Sequence, residues 1–265
     1  MTERPRYAHP RLYDKELWQG GPTWDLELHV PPERVVAATM ALLRCGDLTG
    51  WWTRDGQGVS EAMVDAAGVE RSLAEDNAWT GHIGFARVGE DRDVPCSVDA
   101  HVFRQGGADS QPGESAGTRA TPADGMVRLY LPANGLRQAY PDTDVASLEA
   151  LERHGTARIG WVTEMSAFFG RLATGVLSAC EVNLTWFGME EPEFVDSANL
   201  TGDDLRNPHD AIYLPEHHAL ANTPGGVDVS VGQGYRFWGF GVEVPESVRG
   251  CKRDIDDAGA GKVTT

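Results

Sequence analysis

The stretch from Gly21 to Arg54 constrains the fold most. Within it, Trp24, Leu26, Leu28 and Val30 alternate with Asp25, Glu27 and His29. A repeat of two puts successive side chains on opposite sides of an extended chain, so this reads as a strand with one buried and one wet face. Pro31 and Pro32 stop it, because proline cannot donate to a ladder. Pro32 and Glu33 suit the first turn of a helix, where a missing N–H costs nothing and a carboxylate meets the positive end of the dipole. Val35, Val36, Thr39, Met40, Leu42 and Leu43 then fall on one helical stripe, and Gly46 is the expected C-terminal cap. Leu48 to Thr53 returns to extended structure with the pair Trp51 and Trp52. Strand, helix, strand at the head of the chain demands a sheet with a helix laid on it.

A second stretch has a similar layout. Met126 to Leu131 alternates, Pro132 stops it, Val145 to Leu151 reads as helix, and Ile159 to Thr163 reads as strand. GWWTR at 50–54 is echoed by GWVTE at 160–164, and LHVPP at 28–32 by LYLPA at 129–133. Either a β-α-β unit was duplicated or two common patterns coincide.

The remaining segments extend the sheet. Val59 to Leu73 is expected as a helix weakened by Gly68. Trp79 to Val88 and Cys96 to Arg104 form a hairpin across the turn at 89–93, with Val98 and His101 on opposite faces. Residues 105–125 carry almost no large apolar side chains and read as a mobile loop joining neighbouring strands. Met165 to Ala179 is an apolar helix that should pack on the sheet. Glu181–Met189, Ile212–Leu214, Val227–Val231 and Tyr235–Val244 complete the strands, with a turn or short helix at 215–220. The expectation is α+β: a mostly antiparallel sheet of nine or ten strands with three or four helices, one domain over 1–245, and a flexible tail over 246–265.

Forty acids against 23 bases give a formal charge of −17. Nucleic-acid binding draws on basic surface that displaces counterions, so no direct DNA or RNA contact is expected. The charge suits solubility, or attraction to a basic partner. No apolar run approaches the ~18 residues of a membrane span, and MTERPRYAHP lacks the apolar core of a secretory signal. Cys45, Cys96, Cys180 and Cys251 are far apart and read as reduced thiols, which fits the cytoplasm.

Chemistry is harder to place. His209, Asp210, Glu216, His217 and His218 are the densest set of metal-ligand types and could hold zinc, or iron as two histidines and a carboxylate. Their spacing matches no ligand pattern, and a solvated loop is the simpler reading. His29, His82 and His101 lie on predicted strands, but the residues two positions on are Pro31, Gly84 and Phe103, so a His-x-Ser/Thr phosphoesterase pair is absent. Asp25 and Glu27 share a strand face and could work as paired carboxylates; exposed strand acids explain them more cheaply. No G-x-S-x-G elbow occurs, and the glycine-rich GVDVSVGQG lacks the lysine of a phosphate loop. No cofactor is expected. Most of the eight tryptophans should be core.

The order of an early strand, a helix ending in an aromatic pair (LLRCGDLTGWW), a glycine-rich strand (HIGFA), then CSVDAHVF and MVRLYLP resembles immunity proteins of bacterial polymorphic toxin systems over about residues 24–190. The resemblance implies a cytoplasmic protein that caps a basic, nuclease-type toxin. The acid-rich 190–210 segment, with Glu190, Glu191, Glu193, Asp196, Asp203 and Asp204, is then the candidate contact.

Overall fold

A computed structural model describes residues 12, 15–18, 23–55, 58–61, 64–89, 92–103, 125–141, 160–189, 200–206 and 211–239. Ten strands form one sheet: β1 (Thr23–Val30), β2 (Leu48–Asp55), β3 (Gly58–Glu61), β4 (Ala78–Gly89), β5 (Arg92–Val102), β6 (Gly125–Pro132), β7 (Leu184–Met189), β8 (Ala211–Pro215), β9 (Val227–Val229) and β10 (Tyr235–Gly239). Their order is β3-β2-β4-β5-β6-β1-β7-β8-β10-β9, and every described pairing is antiparallel. The helices are α1 (Lys15–Trp18), α2 (Val35–Leu43), α3 (Ala66–Asp76), α4 (Ala133–Ala139) and α5 (Gly160–Ala179). The expected α+β fold with an antiparallel sheet is therefore what forms.

The alternation in β1 decides how the layers stack. Leu26, Leu28 and Val30 point to the side that also receives Val98 and Ala100 of β5, Val127 and Leu129 of β6, and Phe187 of β7. Onto this first face α5 lays Phe168, Phe169, Leu172 and Val176, all fully buried, and α2 adds Val35, Ala38 and Leu42. Each of these side chains larger than Ala38 contributes about 1.5–3 kcal/mol through apolar burial, which is what holds the two helices on the sheet. Phe187, Tyr213 and Phe237 continue the layer as an aromatic row, with Tyr213 and Phe237 centroids 4.7 Å apart.

Several expectations are corrected. Residues 58–61 pair with β2 as a strand, and α3 begins only at Ala66, because the Asp65 side chain accepts from the Gly68 N–H at 2.7 Å and fixes the helix start there. That cap satisfies a donor no earlier turn could satisfy. The helix α2 ends at Leu43 with Arg44, not Gly46, closing it. Residues 160–163 are the first turn of α5 rather than a strand. The same GWxT pattern is thus strand at 50–53 and helix at 160–163, and the second unit lacks its closing strand, so the duplication is not supported. The helix proposed at 145–151, the loop at 105–125 and the tail at 246–265 lie outside the described residues.

Candidate functional site

The second face of the sheet carries the polar chemistry. Asp25, Glu27 and His29 point to it and are 0 %, 5 % and 2 % exposed. They are not wet strand acids, which corrects the cheaper reading above. Antiparallel register sets their neighbours: Asp25 faces Tyr130, Glu27 faces Arg128, and His29 faces Met126. One strand further, Ser97 faces Tyr130, Asp99 faces Arg128, and His101 faces Met126. On the other side of β1, Glu27 faces Trp186. Partner residues on adjacent strands share a face, so these side chains form one polar ridge across β5, β6 and β1.

Arg128 is its cation. Its Nη2 donates to Asp25 Oδ2, and its Nε lies 3.6 Å from Glu27 Oε1. His29 Nε2 lies 3.4 Å from Glu27 Oε2 without forming a hydrogen bond. The Gly81 N–H donates to Asp99 Oδ1 at 3.2 Å from a bulge in β4. Burial pushes the Asp25 carboxyl up to about 6, against the pull of the Arg128 guanidinium. Burial raises the Asp99 carboxyl as well, and the Tyr130 phenol. Desolvation disfavours the charged form of each group, so a carboxylate here is easier to protonate than one in water.

Two apolar clusters flank the ridge. Leu12 packs on Ile83 and Phe85 beside Trp18 of α1, and Trp18 meets Tyr130 edge-on with ring centroids 6.4 Å apart. On the other flank Leu200, Leu205 and Leu220 pack on Trp186 and Trp238.

The sequence-nominated residues are placed differently. His209, Asp210, Glu190, Glu191, Glu193 and Asp196 lie outside the described residues. Glu216 and His217 are exposed on a turn. His218 turns away to accept from the Leu220 N–H through Nδ1 at 3.2 Å, capping the short 3-10 turn Ala219–Asn222. Among the described residues, no three His, Cys, Asp or Glu side chains converge as metal ligands. Asp203 is exposed, and Asp204 accepts from both the backbone N–H and the hydroxyl of Thr201 at 2.6 Å, so it shapes its own loop. His82 stacks on Trp79 at 3.8 Å, and burial lowers its imidazole below the ordinary value.

A separate cleft of about 550 Å³ is lined by Asp47, Arg87, Glu164 and Arg171. Its charges are matched within the fold. Arg171 donates to Asp47 at 2.8 Å, Arg92 and Tyr140 donate to Glu164 at 2.9 and 2.6 Å, and Arg87 donates to Asp93 at 3.2 Å. Burial and the Glu164 carboxylate push the Tyr140 phenol up to about 12.

Sequence reasoning missed Arg128, Asp99 and Tyr130. The available signal was an arginine at an alternate position inside the apolar run Met126–Leu131. Cys45, Cys96 and Cys180 are free thiols. Among the described residues no helix is long and apolar enough to cross a membrane. Fold and ridge together define an α+β protein on a ten-stranded antiparallel sheet. No protein-family model, curated protein or solved structure matches the chain.

Proposed function

We propose that this chain is an acidic binding protein that neutralises a basic protein partner, as an immunity protein neutralises its cognate toxin. One observation carries the reading: five of the described arginines are paired with carboxylates of the same chain, while a set of described carboxylates stands exposed. Arg87, Arg92, Arg128, Arg171 and Arg236 each bind a carboxylate of the same chain. Glu33, Glu70, Glu75, Asp76, Glu181 and Glu216 are exposed. With a formal charge of −17, such an exterior steers a basic partner in and repels an acidic one. Asp203, an exposed residue of the acid-rich 190–210 segment, adds to the same exterior charge. The free thiols support a reducing compartment such as the cytoplasm.

The test is titration calorimetry against a basic nuclease-type toxin domain encoded beside this gene. Sub-micromolar binding at about 50 mM salt that weakens at least tenfold at about 500 mM is the expected result, since screening shortens the reach of surface charge. No binding at low salt, or binding indifferent to salt, overturns the reading.

A further inference from the structure

The second face of the sheet buries more negative than positive charge. Asp25, Glu27 and Asp99 surround one guanidinium, that of Arg128. Oδ1 of Asp25 is buried without a hydrogen-bond partner among the described residues. Buried polar atoms are nearly always paired, and a surplus of buried charge is costly. The surplus lies between two covers: Leu12 and α1 on one flank, and the 200–206 and 219–222 segments on the other.

We propose that this ridge is a proton-binding site that controls how firmly the two covers close over the sheet. With a proton on Asp25, carried by the orphaned oxygen, Glu27 and Asp99 remain against Arg128 and the surplus falls from two charges to one. With Asp25 ionised, the surplus can be solvated only by water, and water reaches it by lifting a cover. The upward displacement of the Asp25 carboxyl to about 6 is the expected companion of this geometry. The described groups that face Asp25 are Glu27 and His29 from β1, Arg128 and Tyr130 from β6, and Asp99 and His101 from β5. The flanking β7 contributes the uncharged Trp186. With two histidines and three carboxylates around the same guanidinium, the test must isolate Asp25. The inference is independent of the proposed partner.

Hydrogen exchange on the intact chain, corrected for the intrinsic rate, reads the opening of Lys15–Trp18 and of residues 200–206 at about pH 5 and about pH 8. Opening at least about tenfold more frequent at the higher pH is expected, the factor that one unit of displaced pKa carries. In Asp25→Asn the difference should shrink to under about twofold. Equal protection at both pH values in the wild type, or an unchanged difference in the variant, overturns the proposal. Should Asp25→Asn not fold, the carboxyl ¹³C titration of Asp25 in the wild type decides. A midpoint near 6 that tracks the exchange supports the site, and a midpoint below about 5 refutes it.

Discussion

Arg128 stands directly across the β1–β6 ladder from Glu27, yet its Nη2 donates to Asp25, the next same-face residue along the strand. One guanidinium therefore serves two carboxylates, and its removal strands both. Taking one partner from a buried ion pair costs far more than breaking an exposed one, because the charge left behind stays desolvated. Arg128→Met should lower the stability at neutral pH by about 3 kcal/mol in urea denaturation, and less at about pH 5, where Asp25 can be neutralised by a proton. Asp93→Ala, which breaks the half-exposed pair with Arg87, is the contrast: a cost of at most about 1 kcal/mol. Equal losses in the two variants would contradict the assignment of Arg128 as the ridge's counterion.

The acid side of the pH profile follows from Asp25 with a definite sign. Burial pushes its carboxyl from the ordinary value of 3.8, which the unfolded chain keeps, up to about 6 in the folded protein. The folded state thus holds the proton more tightly. That contribution is complete below the unfolded value and is lost as pH rises through the folded one. The displacement of roughly two units corresponds to about 3 kcal/mol. Asp25→Asn should remove this slope between about pH 4 and about pH 7, and the difference between variant and wild type across that window is the measurement.

The strand carrying these acids was legible; their burial was not. The alternation of Trp24, Leu26, Leu28 and Val30 with Asp25, Glu27 and His29 places a strand and divides its two faces. Whether the polar face is wet depends on what covers it, and Leu12, Trp18, Leu200 and Leu205 come from distant parts of the chain. Arg128 is 103 residues from Asp25, and only register brings them together. Residues 160–163 misled for a related reason. Their composition suits a strand, but they continue a run in which Met165, Phe168, Phe169, Leu172, Val176 and Leu177 recur at helical spacing, and burial of that stripe fixes the turn that leads into it. The histidines near 213 were conspicuous in sequence because they are close in the chain. On the turn, Glu216 and His217 are exposed while His218 caps its neighbour.

On the helix-covered face, Tyr213 presents a different imbalance. Its ring packs between Phe187 and Phe237, it is completely buried, and its hydroxyl has no hydrogen-bond partner among the described residues. Burial raises its phenol, so the hydroxyl stays neutral. An unsatisfied buried hydroxyl costs on the order of 1–3 kcal/mol relative to an apolar group of the same shape. Tyr213→Phe keeps the ring contacts and should be neutral or stabilising by about 1 kcal/mol in thermal or urea denaturation. A clear loss of stability would mean that the hydroxyl is engaged.

The exterior charge can be separated from the fold at α3. Val69 and Leu73 are the buried residues of this helix, and Glu70, Glu75 and Asp76 are exposed on its outer side. Charge reversal there touches no core contact, so Glu70→Lys with Glu75→Lys should move stability by no more than about 0.5 kcal/mol per site. The same pair changes the formal charge by four, from −17 to −13. If long-range attraction brings in a basic partner, the association rate at low salt should fall several-fold while the dissociation rate changes little, because rim charges act mainly on encounter. Stopped-flow association at about 50 mM and about 500 mM salt separates the two cases. Convergence of the variant and wild-type rates at high salt is expected; a difference that persists there would place α3 inside the contact itself rather than in the field around it.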